Sequence, residues 1–172
     1  ITHNKKDSTG ICFIGERPFP EFLSGYLPEI RGEIINEKGV KIGEHKGLYF
    51  YTIGQRQGLG IGGVKGSPEQ PWYVAKKNIK DNTLMVVQDN NHPLLFSSQL
   101  EVSEVNWLVE KKPALDKLSA KIRYRQQDQK CSLQQVENKW LVDFEDPQRA
   151  ITSGQSIVFY KDNICLGGGE IN

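Results

Sequence analysis

The chain has 172 residues, with 22 Lys and Arg against 21 Asp and Glu, a net charge of +1, 37% hydrophobic and 25% charged residues. That length suits one medium domain or two small ones, with enough apolar content to bury a core and enough charge to keep it in solution. The charge balance excludes a global polycation, so any RNA contact must come from local patches. No run approaches the roughly 18 apolar residues of a membrane span and no signal-peptide pattern opens the chain, so the expected compartment is cytoplasmic, with no membrane partner.

The first residues, Ile1 to Lys6, are a polar run without an initiator methionine and read as the start of a piece cut from a longer polypeptide. Cys12 comes next, between the turn formers Asp7-Ser8-Thr9-Gly10 and the apolar pair Phe13-Ile14. A lone cysteine beside apolar neighbours is usually a small buried hydrophobe. Lys5, Lys6 and Arg17 surround this one with positive charge, which lowers a thiol pKa and favours the reactive thiolate. Both readings of Cys12 stand at this level. Asp7-Ser8-Thr9-Gly10 shares letters with the aspartic-protease triplet, but the spacing is broken and no second copy supplies the paired carboxylate.

Between Pro18 and Pro28 the apolar residues Phe19, Phe22, Leu23, Tyr26 and Leu27 recur at helical spacing and predict one short helix. Beyond Gly32 the pattern turns to strands. A hairpin is expected over 33–42 around Glu37-Lys38-Gly39, a strand over 49–53, and two strands over 72–76 and 83–87 around Asp81-Asn82. The loop Gly54-Gln55-Arg56-Gln57-Gly58-Leu59-Gly60-Ile61-Gly62-Gly63 could cradle phosphate through backbone N–H groups and Arg56. It lacks the P-loop arrangement and a succeeding helix, so the readings left are a loop packing against a domain or an RNA backbone, and a tight connection.

The polar stretch ending at Pro93 is the expected boundary. Six short strands are then expected near 99–107, 118–124, 130–136, 139–144, 155–160 and 164–171, as in a small closed antiparallel barrel. Alternation over 117–125 sends Leu118, Ala120, Ile122 and Tyr124 to one face and Lys117, Ser119, Lys121, Arg123 and Arg125 to the other. That basic row suits phosphate contact or an ordinary solvated face. Cys131 and Cys165 lie in strand patterns and are expected in the core. His45 and His92 are expected at the surface or in turns, and Gly167-Gly168-Gly169 at a strand bend. Three cysteines without CxxC, and no histidine at ligand spacing, argue against a disulfide scaffold and against zinc or another metal.

Four ordered motifs carry a family resemblance: Lys6 to Arg17 around Cys12, Gly54 to Gly63, Arg123-Tyr124-Arg125-Gln126, and Gly154-Gln155-Ser156 with Cys165-Leu166-Gly167-Gly168-Gly169. With them the chain resembles the C-terminal half of bacterial tRNA-specific 2-thiouridylases. The resemblance implies a mainly β chain: residues 1–17 as the catalytic-cysteine loop left from an N-terminal ATP pyrophosphatase domain, 18–92 as a small central β domain preceded by one short helix, and 93–172 as a six-stranded tRNA-binding barrel like those of translation factors. It implies ATP-dependent 2-thiolation of uridine at wobble position 34 of tRNAs for Lys, Glu and Gln. Cys12 would carry a persulfide delivered by a sulfur-relay donor protein, and Arg123, Tyr124 and Gln155 would contact the tRNA. ATP and Mg2+ belong, by the same resemblance, to the N-terminal domain, and no cofactor is expected on these residues. No Ser-Gly-Gly-x-Asp-Ser-type loop is present, so the chain itself is expected to be inactive. The competing readings are a non-enzymatic RNA-binding barrel with a structural cysteine, and a redox-sensing adaptor.

Overall fold

The computed structural model describes residues 19–62, 66, 70–110 and 114–172. The expected Cys12 loop lies outside them. The chain is mainly β, with the one short helix expected between Pro18 and Pro28 present as α1 (Phe19–Ser24). Ten strands succeed it: β1 (Gly32–Ile35), β2 (Lys41–His45), β3 (Trp72–Asn78), β4 (Thr83–Gln88), β5 (Phe96–Trp107), β6 (Leu118–Lys121), β7 (Gln129–Val136), β8 (Lys139–Arg149), β9 (Ser156–Lys161) and β10 (Ile164–Ile171).

The first four strands form a mixed sheet in the order β2-β1-β4-β3, with β1 and β4 parallel. Its hairpin turn is held by Asn36, whose Oδ1 accepts the N–H groups of Lys38 and Val40, while Gly39 takes a left-handed φ of 75°. One face of this sheet buries Ile34, Val74, Leu84 and Val86 under Tyr51 and Leu59. The expected strand over 49–53 is instead a 3-10 turn, Leu48–Phe50, continued by extended chain. There the Phe50 and Tyr51 N–H groups bond locally to Gly47 and Leu48 carbonyls and leave no ladder to join.

The last six strands close into an antiparallel barrel, β10-β5-β8-β7-β6-β9, which leaves no free sheet edge. Its interior is packed with Leu100, Val102, Leu118, Ala120, Cys131, Leu133, Trp140, Val142, Phe144, Ile157 and Phe159. The bend expected at the glycines of β10 is present as register shifts on both sides of Gly167–Gly169. A Cβ on Gly169 would sit 2.1 Å from the Glu104 carbonyl oxygen, so only glycine lets β10 lie this close to β5. The strand expected over 118–124 stops at Lys121. Beyond it the Ile122 N–H turns to the side chain of Gln126 at 2.9 Å instead of a neighbouring strand, and the chain swings out.

Two other expectations are corrected. Cys165 is exposed on β10 rather than in the core, unlike Cys131. His45 is 1% exposed rather than at the surface; it lies edge-on to Tyr51, with Nε2 3.0 Å from the Asn82 carbonyl. His92 does lie in a turn, at the seam between the two sheets, where it caps Pro93–Leu95 and has Glu37 of the β1–β2 turn 3.2 Å from its Nε2.

That seam is built from the second face of the mixed sheet. Tyr73 and Val87 pack on Leu95 of the connecting segment, with Phe96 beside them. Arg149, at the end of β8, lies over the Tyr73 ring at 5.6 Å and donates from Nε to the Asn90 carbonyl at 3.1 Å. A half-buried cation over an aromatic face contributes roughly 0.5–2 kcal/mol, and a hydrogen bond from a charged donor about 1.5–3 kcal/mol. Arg149→Met should therefore lower unfolding stability by about 2 kcal/mol in urea titrations. Arg149→Lys should recover only part of it, and an unchanged midpoint for the methionine variant would show that the seam does not depend on this side chain.

Candidate nucleic-acid interface

Arg123, Tyr124 and Arg125 occupy the turn after β6, not a strand face. Tyr124, expected to point with the inward residues, is 70% exposed. The reason is the turn itself, closed by the Gln126 N–H on the Arg123 carbonyl at 3.1 Å. Beneath it lies a glutamine network that sequence reading missed. Gln126 Nε2 donates to Gln148 Oε1 at 2.6 Å, and Gln148 Nε2 donates to Gln129 Oε1 at 3.1 Å and to the Asp146 carbonyl at 2.7 Å. Gln148 is 3% exposed, so each of these bonds offsets a desolvation cost and each fixes the turn.

Arg123 is held from a second side. Its Nη2 donates to the Ala150 carbonyl at 3.0 Å, which leaves the rest of the guanidinium fork on the exposed side. The same carbonyl accepts Thr152 Oγ1 at 3.0 Å. Thr152 in turn begins the turn that carries Gln155: the Gln155 N–H reaches the Thr152 carbonyl at 3.3 Å, and the Gly154 N–H and Gln155 carbonyl both bond Ile171 of β10. Arg123 and the turn that carries Gln155, 32 positions on in sequence, are thus brought to one end of the barrel, with Arg123 and Thr152 sharing one carbonyl. The Gln155 side chain is half-buried and has no hydrogen-bond partner among the described residues.

The third expected motif arrives at the same place. The Gly54 N–H donates to the Val74 carbonyl at 2.7 Å and the Val74 N–H to the Gln55 carbonyl at 2.9 Å, so the glycine loop caps β3, the edge strand of the mixed sheet. Gly54 has φ 82°, and a Cβ there would lie 2.7 Å from Ala150 Cβ and 3.3 Å from Arg149 Nη1. The Gln55 side chain stiffens the loop on either side of itself, accepting the Thr52 N–H at 2.9 Å and donating to the Gln57 carbonyl at 2.9 Å.

Lys121 of the expected basic row serves another end. Lys121 is paired with Asp128 at 2.9 Å and sits over the Tyr160 ring at 5.3 Å. Its hydrogen bond to Asp128 raises its pKa, so it is a neutralised cation rather than an open phosphate contact. Cys131 lies in the barrel core, where burial pushes its thiol up to about 12, and it is inert as a nucleophile at neutral pH. Among the described residues no cluster of His, Cys, Asp or Glu could hold a metal ion, and no helix is long and apolar enough to cross a membrane.

Comparison with known proteins gives this geometry a family. Residues 20–88 match the model of the tRNA methyl transferase PRC-barrel domain, and residues 97–171 that of the aminomethyltransferase beta-barrel domain. Curated relatives include tRNA-specific 2-thiouridylase MnmA from Francisella tularensis subsp. tularensis (strain WY96-3418) and from subsp. holarctica (strain LVS). Another is the MnmA of subsp. novicida (strain U112). Each is 58% identical over 174 residues, covering 99% of this chain and 48% of the relative. The chain therefore spans about half the length of the curated relatives it matches, and it belongs to the tRNA-specific 2-thiouridylase family, corresponding to the C-terminal half.

Proposed function

We propose that this chain supplies the tRNA-holding and sulfur-carrying part of an enzyme that thiolates C2 of the wobble uridine in tRNAs for Lys, Glu and Gln, in the cytoplasm. The observation that carries this reading is the meeting of Arg123 and the Gln155 turn at the Ala150 carbonyl. Arg123 offers a guanidinium fork to a phosphate, exposed Tyr124 a ring for stacking on a base or ribose, and Gln155 an unpaired amide. Turns fix the backbone that carries all three, and Arg123 is also anchored by one nitrogen, which lowers the ordering cost of binding. The proposed division is residues 1–17, 18–92 and 93–172, and the seam between the two sheets supports the second of these boundaries.

Cys12, among Lys5, Lys6 and Arg17, is the sulfur carrier in this reading. ATP with Mg2+, held by the portion of the relatives that lies outside the matched half, would activate the C2 oxygen. The outer sulfur of a Cys12 persulfide, loaded by a relay donor protein, then bonds to C2 as that oxygen departs. The S–S bond breaks with its electron pair going to the sulfur now on uridine, while a second cysteine thiolate bonds the Cys12 sulfur and leaves a disulfide. In the other route the second cysteine thiolate bonds the Cys12 sulfur first, and the S–S bond breaks onto the outer sulfur. The hydrosulfide so released attacks C2 as the activated oxygen departs, leaving the same disulfide. By the family resemblance that second cysteine belongs to the N-terminal domain, and it is neither Cys131, which is buried, nor Cys165.

Two measurements test the reading. Thiol labelling near neutral pH should modify Cys12 ahead of Cys165, with Cys131 last. If Cys12 is the slowest of the three, it is a structural residue and the RNA-binding barrel alone remains. Arg123→Ala should weaken tRNA binding roughly three- to tenfold and flatten its dependence on log salt by about one contact. An unchanged slope would remove Arg123 from the RNA surface.

A further inference from the structure

Arginine is distributed unevenly in this protein. Of its 22 basic residues only six are arginines, and four of those, Arg56, Arg123, Arg125 and Arg149, lie in the three segments that meet at Ala150. Segments 54–62, 122–126 and 149–155 contain no lysine, aspartate or glutamate at all. In a chain whose charges otherwise balance, four arginines are thus concentrated in segments that carry no acid themselves. Arginine is also the cation whose planar fork matches a phosphate bidentately.

The four arginines are not equivalent. Arg149 is turned inward, committed to the Tyr73 ring and the Asn90 carbonyl. Arg123 is anchored by one nitrogen and otherwise exposed. Arg56 is exposed, and among the described residues it has neither a hydrogen bond nor an ion pair. Its position is nevertheless well determined. It lies two residues, roughly 7 Å of chain, from Gly54, which is pressed against Ala150. The Gln55 side chain, through its bonds to Thr52 and Gln57, fixes the backbone on both sides of it.

We propose that the RNA surface does not stop at the barrel but continues onto the mixed-sheet unit, where Arg56 binds a backbone phosphate of the same tRNA strand that Arg123 engages. This deepens the tRNA-binding reading and rests on it. A single rigid junction then presents two guanidinium forks, one from each unit, on one tRNA, with Arg149 beneath as the internal tie between them.

Binding of the protein to an unmodified transcript of a tRNA with a wobble uridine, titrated across salt concentrations, separates the possibilities. Arg56→Ala should weaken binding about three- to tenfold and reduce the salt slope by about one contact. Arg56→Lys should keep the slope, because the point charge remains, while losing part of the affinity. If Arg56→Ala changes neither affinity nor slope while Arg123→Ala weakens binding, the surface ends at the barrel and this proposal is overturned with the tRNA reading intact. If alanine and lysine weaken binding equally and leave the slope as it was, Arg56 holds the loop rather than a phosphate, which also overturns it. If neither arginine matters, the tRNA reading itself fails.

Discussion

Ala150 is a buried, non-glycine residue with φ 54° at the end of β8, and every one of its backbone and side-chain groups is engaged. Its N–H bonds the Leu95 carbonyl of the segment joining the two units at 2.7 Å. Its carbonyl takes both Arg123 and Thr152, and its methyl faces Gly54. A left-handed alanine costs about 1–2 kcal/mol, so this conformation persists only because these partners over-determine it. It also reverses the chain at the one point where barrel, connecting segment and glycine loop must meet. Gly54 complements it: any side chain there would collide with the alanine methyl, and the two units would have to separate.

The electrostatics arise from that packing. Several arginines converge near one end of the barrel with no carboxylate in the converging segments. Their mutual repulsion is tolerable at the surface, where water screens exposed charges, and one of the four is buffered by an aromatic face and a carbonyl. The arrangement leaves positive potential for a polyanion to satisfy. By contrast, Lys139 and Lys41 are paired with carboxylates on their own or neighbouring strands and Lys121 with Asp128 just before β7, and those pairings raise their pKa values. Lysine here serves sheet surfaces, and arginine serves the junction.

Much of the fold is legible in the sequence because its signals are local. Period-two alternation marks β6 to β10, and the turns at Asn82, Glu137 and Asp162 do adopt positive φ as their polar sequences suggest. What sequence reading misses depends on residues distant in the chain. The alternation carries the basic strand through Tyr124 because Ile122 continues it, yet Gln126 captures the Ile122 N–H and ends the ladder. Cys165 has apolar neighbours but falls on the outer face after a register shift between Cys165 and Gly167. His45 is buried because Gly32 and Asn82, from two other segments, leave it a place. The importance of Ala150 has no local signal: Arg149-Ala150-Ile151 falls between the strands expected over 139–144 and 155–160. Of the interface, resemblance singles out Arg123, Tyr124 and Gln155; their convergence, and the glutamine network beneath, required the three-dimensional structure.

The most direct measurement is backbone amide hydrogen exchange of the protein with and without bound tRNA. A single surface organised by Ala150 predicts that tRNA slows exchange together in the segments 54–58, 122–126 and 152–155, with the outward positions of β5 and β7 unchanged. Protection confined to the barrel segments, or centred on those strands instead, would contradict it.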